Sequence, residues 1–172
     1  MALDKMFFVT QLAQRIKEAE LVAERGATDA REAARSMQTE SEKREDARAA
    51  LEFGSLATGQ SARVRKAREA LADLASFANS GLPRFGARAP IGLGAVVDVS
   101  IENDEGDPEE RTFILLPVGA GTELTGPGGD GFLSVITPAS PVGRALLGKR
   151  SGDTFEVTIR GEPREWTIVD VG

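Results

Sequence analysis

The chain has 172 residues, 41% of them apolar but only 5% aromatic, with a formal net charge of −6. It contains no Cys, His or Tyr, which excludes disulfides, zinc sites built on Cys or His, and every triad with a histidine base. Its acidity also argues against a duplex-DNA binder, since such proteins present a basic face.

Any chemistry must therefore come from carboxylates, Lys, Arg or hydroxyls, and carboxylates are hard oxygen ligands suited to Mg²⁺. The opening residues lack the basic region, apolar stretch and cleavage site of a signal peptide. No run approaches the roughly 18 apolar residues of a membrane span. A soluble, cytoplasmic protein is expected. Charge is unevenly placed: residues 1–80 carry 13 Lys+Arg and 13 Asp+Glu, residues 81–172 carry 8 and 14. Two regions of different character follow from this.

Residues 4–77 contain no proline and glycine only at Gly26, Gly54 and Gly59, in a background of strong helix formers. Val9, Leu12, Ile16, Ala19, Ala23, Gly26, Ala30, Ala33 and Met37 recur three and four apart, as do Ala50, Phe53, Ala57, Gln60, Val64, Ala67, Leu71, Leu74 and Ala78. These are heptad seams of mostly small residues. They do not join in phase, and the stretch between them, 38–46, is polar throughout. Two readings fit: one continuous helix that dimerises between chains, or two helices that fold back on each other. The matched lengths favour the antiparallel hairpin, with helices of about 33 residues spanning roughly 50 Å. A hairpin buries its own seam and predicts a monomer.

The tip, near 38–47, carries Glu40, Glu42, Glu45 and Asp46 around Lys43 and Arg44. If residues 42–46 open the second helix, Glu42 shares a face with Glu45 or Asp46. An acidic first turn capped by Ser41 complements the helix dipole, and the residues alone favour that structural role over a carboxylate pair lent to a metal. Arg63, Arg65, Lys66 and Arg68 form a basic cluster; a solvated face balanced by acids on the partner helix is favoured over phosphate contacts.

Residues 81–90 read as a linker, and 91–172 as a small β domain. Strand patterns cover 95–101 and 111–117, joined by a turn at 103–108 into a hairpin. The glycine-rich stretch 125–131 has no Lys-Ser/Thr after it and opens no helix, so it is a loop and not a phosphate cradle. A strand at 132–136 leads to a helix of about two turns with Ser140 as N-cap, Pro141 as first helical residue and Gly148 as the stop. Strands at 154–159 and 166–171 close the domain.

The run Ser140-Pro141, Arg144-Ala145-Leu146-Leu147-Gly148-Lys149 and Gly152-Asp153, followed by the closing strand around Trp166, resembles the signature of the Gre family of bacterial transcription elongation factors. Leu56-Ala57-Thr58-Gly59-Gln60 and Arg63-Val64 are similar to the second helix of some Gre-like proteins. The resemblance implies an α+β fold: an N-terminal antiparallel coiled-coil hairpin and a C-terminal FKBP-like small antiparallel β domain with one short helix. It implies docking on bacterial RNA polymerase at the rim of the secondary channel through Ser140, Pro141 and Arg144. It further implies a coiled coil that reaches the polymerase's catalytic centre. There Glu42, Glu45 and Asp46 would help to hold a Mg²⁺ shared with the polymerase, next to the nascent RNA 3′ end, for hydrolysis of backtracked RNA. The family's tip reads Gly-Asp-Leu-x-Glu-Asn-Ala-Glu-Tyr. Here Glu42 and Glu45 keep the spacing of its first two acids, with Glu in place of Asp and without the flanking motif.

That departure leaves a second class open, a non-cleaving regulator occupying the same channel. A third, a prolyl isomerase, rests on the FKBP-like fold alone. It would need an apolar aromatic pocket, and Phe113, Phe132, Phe155 and Trp166 are expected to be used up in the sheet core. In every reading the chain has no complete active site of its own and is at most an accessory to the polymerase's RNA cleavage.

Overall fold

The computed structural model describes residues 4–39, 44–86, 88–102, 108–159 and 161–172. They form two compact units: Ala13–Ala72, and Met1–Leu12 together with Asp73–Gly172. Two long helices open the chain, α1 (Lys5–Thr39, 35 residues) and α2 (Arg44–Asn79, 36 residues). Asp4 starts α1, its Oδ1 accepting from the N–H groups of Met6 and Phe7 at 3.1 and 3.4 Å; such a side-chain acceptor satisfies donors that the first turn leaves free. No described helix is long and apolar enough to cross a membrane.

Within Ala13–Ala72 the helices run antiparallel, so the hairpin and not the continuous helix is the architecture. Arg68 of α2 donates to Glu20 at 2.6 Å and to Glu24 at 2.7 Å on α1, and Arg31 donates to Ser61 Oγ at 2.6 Å. The seam between them is built of Ala23, Ala27 and Ala30 against Ala50, Ala57 and Val64, all buried. Small side chains permit this approach: a Cβ on Gly26 would lie 3.5 Å from Gln60 Cδ. One stretch of the seam differs from the sequence pattern. Ala19 is exposed and Ala27 is buried, while the Glu20 side chain, 14% exposed, is turned in by its ion pair with Arg68. An apolarity pattern assigns the seam to Ala19 because it registers no charge pair across the interface. Of the basic cluster, Arg68 takes the role expected of it, balanced by acids on the partner helix.

The β domain holds β1 (Val96–Glu102), β2 (Pro108–Leu115), β3 (Glu123–Thr125), β4 (Phe132–Ile136), α3 (Pro141–Leu146), β5 (Thr154–Ile159) and β6 (Glu162–Val171). They make one six-stranded sheet in the order β3-β4-β2-β1-β6-β5. The β1–β2 hairpin is antiparallel as the alternation predicts, with Val97 opposite Phe113 and Val99 opposite Arg111; its turn at 103–107 lies outside the described residues. Two features escape the sequence. Strand β3 has only three residues, too few for a period to register. Strands β2 and β4 pair in parallel, Phe113 beside Ser134 and Leu115 beside Ile136, so the sheet is mixed. Parallel neighbours need a crossover of a dozen or more residues; residues 116–131, including β3, supply it.

One face of the sheet packs a core from Val97, Val99, Ile101, Phe113, Leu115, Ile136, Leu146, Phe155, Trp166 and Ile168. Trp166 lies at its centre, stacked on Phe113 (centroids 5.7 Å apart) and edge-on to Phe155 (5.4 Å). The fourth aromatic expected there, Phe132, is 70% exposed: it opens β4 opposite Thr125 on the short β3, beyond the reach of the core. With three of the four committed to packing, little remains to line an isomerase pocket.

The ends of the long helices belong to this unit. Gln11 clamps β3, its Nε2 donating to Thr125 O and Oγ1 at 3.3 and 3.2 Å while Thr125 N–H donates to Gln11 Oε1 at 2.9 Å. The backbone N–H and C=O of Thr125 on this edge strand are thereby occupied, which helps to blunt the edge. Leu12 sits where a side chain on Gly119 (φ +90°) would be, 2.7 Å from the position of its Cβ. Lys5 Nζ donates to Pro83 O at 2.8 Å and lies 4.8 Å from the Phe85 ring centre; partial burial lowers its pKa from the ordinary lysine value.

The indole N–H of Trp166 finds no partner among the described residues, so its packing and its polarity can be separated. Trp166→Phe, which keeps a ring and removes the orphan donor, is expected to cost less than about 1.5 kcal/mol, as a volume-reduced aromatic swap. Trp166→Ala should cost about 3–5 kcal/mol. Urea melts followed by circular dichroism measure both, and equal losses would mean that ring packing is not what Trp166 contributes.

Candidate functional site

The signature segment forms a tight corner between β4 and α3. Ser140 is extended (φ −70°, ψ 152°) and caps α3, its Oγ accepting from Gly143 N–H at 3.1 Å. The same hydroxyl donates to Thr137 O at 2.8 Å and accepts from Thr137 N–H at 3.2 Å. Its one donor and both acceptor positions are thus used inside the corner. Backbone bonds complete it: Ser140 N–H to Thr137 O at 2.9 Å, Arg144 N–H to Ser140 O at 2.9 Å, and Leu147 N–H to Gly143 O at 3.0 Å.

Gly143 is required by proximity. A Cβ there would lie 2.0 Å from Thr137 O and 2.8 Å from Thr137 C, and both are backbone atoms that cannot swing aside. The chain folds this way because Pro141 fits the first helical position, where no N–H is needed, and because only glycine lets the helix start against the strand it follows. Val142 and Ala145 pack on the core and Leu146 is buried in it. Pro141 and Arg144 are left exposed.

Of the residues assigned to docking, the corner therefore brings Pro141 and Arg144 to the surface, and Ser140 acts on them through its internal bonds. Sequence reading missed Thr137 and Gly143. The spacing Thr137-x-x-Ser140-x-x-Gly143 was the available signal, because a glycine at the third position after a cap marks a close backbone approach.

The acidic tip is the second assigned element. Glu42, like Glu40, Ser41 and Lys43, lies outside the described residues. The α2 backbone begins at Arg44, which puts Glu45 and Asp46 in its first turn, where carboxylates are favoured by the positive helix end; their side chains are outside the described set. Among the described residues no three carboxylates gather into a group able to hold a metal ion.

This half of the chain has a known counterpart. Residues 89–172 match the model of the C-terminal domain of the transcription elongation factors GreA and GreB, so the β domain with its Ser140 corner is a Gre-type C-terminal domain. The family match covers that domain alone, and the helical hairpin lies outside it. No curated protein matches the chain. Among solved structures it is similar to the transcription factor Gfh1 (22% identity, 95% of this chain and 92% of that one, TM-score 0.39). It is also similar to GreA factor homolog 1 of Thermus thermophilus (19%, 93% and 94%, TM-score 0.36). A GreA/GreB factor from Nitrosomonas europaea matches over a shorter span (24%, 51% and 64%, TM-score 0.37).

The corner makes a graded prediction. Ser140→Ala should lower stability by about 1 kcal/mol, the usual value of a lost cap. Gly143→Ala should lower it by roughly 3 kcal/mol, because backbone must move. Thermal melts of the two variants measure the order, and a Gly143→Ala protein as stable as the native one would refute the close approach.

Proposed function

We propose that the chain is a transcription elongation factor that binds bacterial RNA polymerase at its secondary channel and stimulates cleavage of backtracked RNA. The observation that carries this reading is the Ser140–Gly143 corner, lying inside the half of the chain that matches the Gre model and holding Pro141 and Arg144 outward. The hairpin supports it: its helices of 35 and 36 residues are each roughly 50 Å long at 1.5 Å per residue, the kind of coiled coil the reading calls for.

Ser140 positions the corner, and Pro141 and Arg144 make the contact with the polymerase. Glu42, Glu45 and Asp46 are the residues that would hold Mg²⁺ jointly with the polymerase, and as hard oxygen donors three and four apart on one short segment they fit that ion. The ion, when bound, supplies Lewis-acid activation of water for phosphodiester hydrolysis. The tip carboxylates orient that water and leave the remaining chemistry to the polymerase. Lys43 and Arg44, lying between the acids, favour a second reading in which the tip enters the channel without cleaving and acts as a regulator. Nothing in either reading requires duplex DNA, a membrane or a second copy of the chain.

A backtracked elongation complex with 3′-labelled RNA, purified polymerase and Mg²⁺ separates the two. The native protein is expected to release short 3′ fragments, and the Glu42→Ala/Glu45→Ala/Asp46→Ala variant to slow release on the order of a hundredfold while still binding. Binding without cleavage by the native protein selects the regulator. Failure to bind the polymerase rejects both.

A further inference from the structure

We propose that the outer edge of β5 adds a further strand to the six-stranded sheet, an extended basic segment of a protein partner. This goes beyond the polymerase reading and does not depend on it. The acids that would receive the segment lie on the face of the sheet opposite the one where α3 packs. The two edges of the sheet differ. In the order β3-β4-β2-β1-β6-β5 the edge strands are β3 and β5. Strand β3 has three residues, and Gln11 occupies the backbone N–H and C=O of Thr125. Strand β5 has six, contains neither Pro nor Lys, and pairs with β6 without a register break, from Thr154 opposite Thr167 to Ile159 opposite Glu162. Short length, bulges, Pro and Lys are devices that keep an edge from pairing, and β5 has none of them.

The β5–β6 ladder fixes which backbone groups are free. Ile168 N–H donates to Asp153 O at 2.9 Å, and inward and outward positions alternate along an antiparallel pair. Phe155 and Val157 therefore turn their N–H and C=O towards β6, and Thr154, Glu156 and Thr158 turn theirs outward. Apart from the β6 ladder, no described group hydrogen-bonds the backbone of these three residues.

Their side chains share a face of the sheet with a row of carboxylates. Asp98, Glu102, Glu110, Glu156, Glu165 and Asp170 stand on it, and none of β1, β2, β5 and β6 places Lys or Arg there. Glu156 lies directly opposite Glu165, and Asp98 directly opposite Asp170. Like charges so placed destabilise a sheet, and none of the six forms an ion pair among the described residues. A strand added to β5 sets every second side chain beside this row, where Lys or Arg supplies the missing opposite charge. The side chains between them fall next to Phe155 and Val157 at the rim of the core, where apolar groups fit. Main-chain bonds then give affinity and the alternating side chains specificity. The same acids repel the phosphates of nucleic acid. A second copy of the chain is disfavoured too, because residues 81–172 hold 14 Asp+Glu against 8 Lys+Arg and two such domains repel.

Fluorescence anisotropy with a labelled peptide, Lys-Val-Lys-Thr-Lys-Val-Lys, tests this on the full chain. Thr158→Pro removes one outward N–H and spares the β6 ladder, since Pro is tolerated on an edge strand where its N–H would face solvent. Glu156→Lys/Glu165→Lys reverses the acids beside the edge, and Glu123→Lys/Asp130→Lys makes the same change of net charge elsewhere in the domain. An unchanged emission spectrum of Trp166, the single tryptophan, verifies folding. The native chain is expected to bind the peptide, Thr158→Pro and Glu156→Lys/Glu165→Lys each to bind it roughly tenfold more weakly, and the control to bind as the native chain does. A Thr158→Pro protein that binds like the native chain would mean that charge alone holds the peptide, and overturns the inference. So does a reversal of Glu156 and Glu165 that binds no more weakly than the control, or a native chain that takes up no peptide. Sedimentation of the chain alone runs alongside, and a dimer abolished by Thr158→Pro would assign the edge to a second copy and overturn the proposal.

Discussion

The exposed surface of the β domain around α3 depends on one close approach, the Thr137 carbonyl against Gly143. Because residue 143 has no side chain, α3 can begin directly against the strand that precedes it, and the Ser140 hydroxyl can bridge Thr137 to the first helical turn. That geometry decides which side of a six-residue helix faces inward. Leu146 goes into the core, while Pro141, Arg144 and Leu147 go to solvent. Any larger residue at 143 would force the helix away from the strand and turn those side chains together. The serine of the signature therefore acts as a positioning residue, with no hydrogen-bonding capacity left for a partner.

The sheet supplies the rigid ground on which this corner stands. Its core is organised around a single tryptophan stacked on Phe113 and met edge-on by Phe155. Along the Ala13–Ala72 seam, by contrast, the helices approach through small side chains, and contact area replaces bulk. At the β3 edge the Gln11 amide occupies the backbone N–H and C=O of Thr125. Thus the first turns of α1 are fastened to the domain that follows α2 in sequence.

Charge is sorted along the molecule by physical role. In the hairpin, Arg68 spans Glu20 and Glu24 and draws Glu20 into the interface, so charge there stabilises association of the two helices. At the start of α2, acids occupy the turn where the helix dipole favours them. With no histidine, cysteine or tyrosine, the side chains available for chemistry are carboxylates, Lys, Arg and hydroxyls.

The sequence alone determined the elements whose signal is local and periodic. Heptad spacing in a proline-free stretch marked both long helices, alternation marked the β1–β2 hairpin, and the Ser-Pro…Gly pattern marked α3 almost to the residue. Those signals survive without a partner because backbone geometry sets their periods. Only the tertiary structure decided what depends on residues distant in sequence. It made β4 a parallel neighbour of β2, and it recruited the three-residue β3 with its Gln11 clamp. Burial passed from Ala19 to Glu20 because Arg68 lies across the interface, and Phe132 stayed outside a core that its composition suited. Gly143 was visible as a glycine, but its necessity came from a carbonyl six residues earlier. A linear pattern records what a residue is, whereas burial, pairing and clash depend on what the folded chain places beside it.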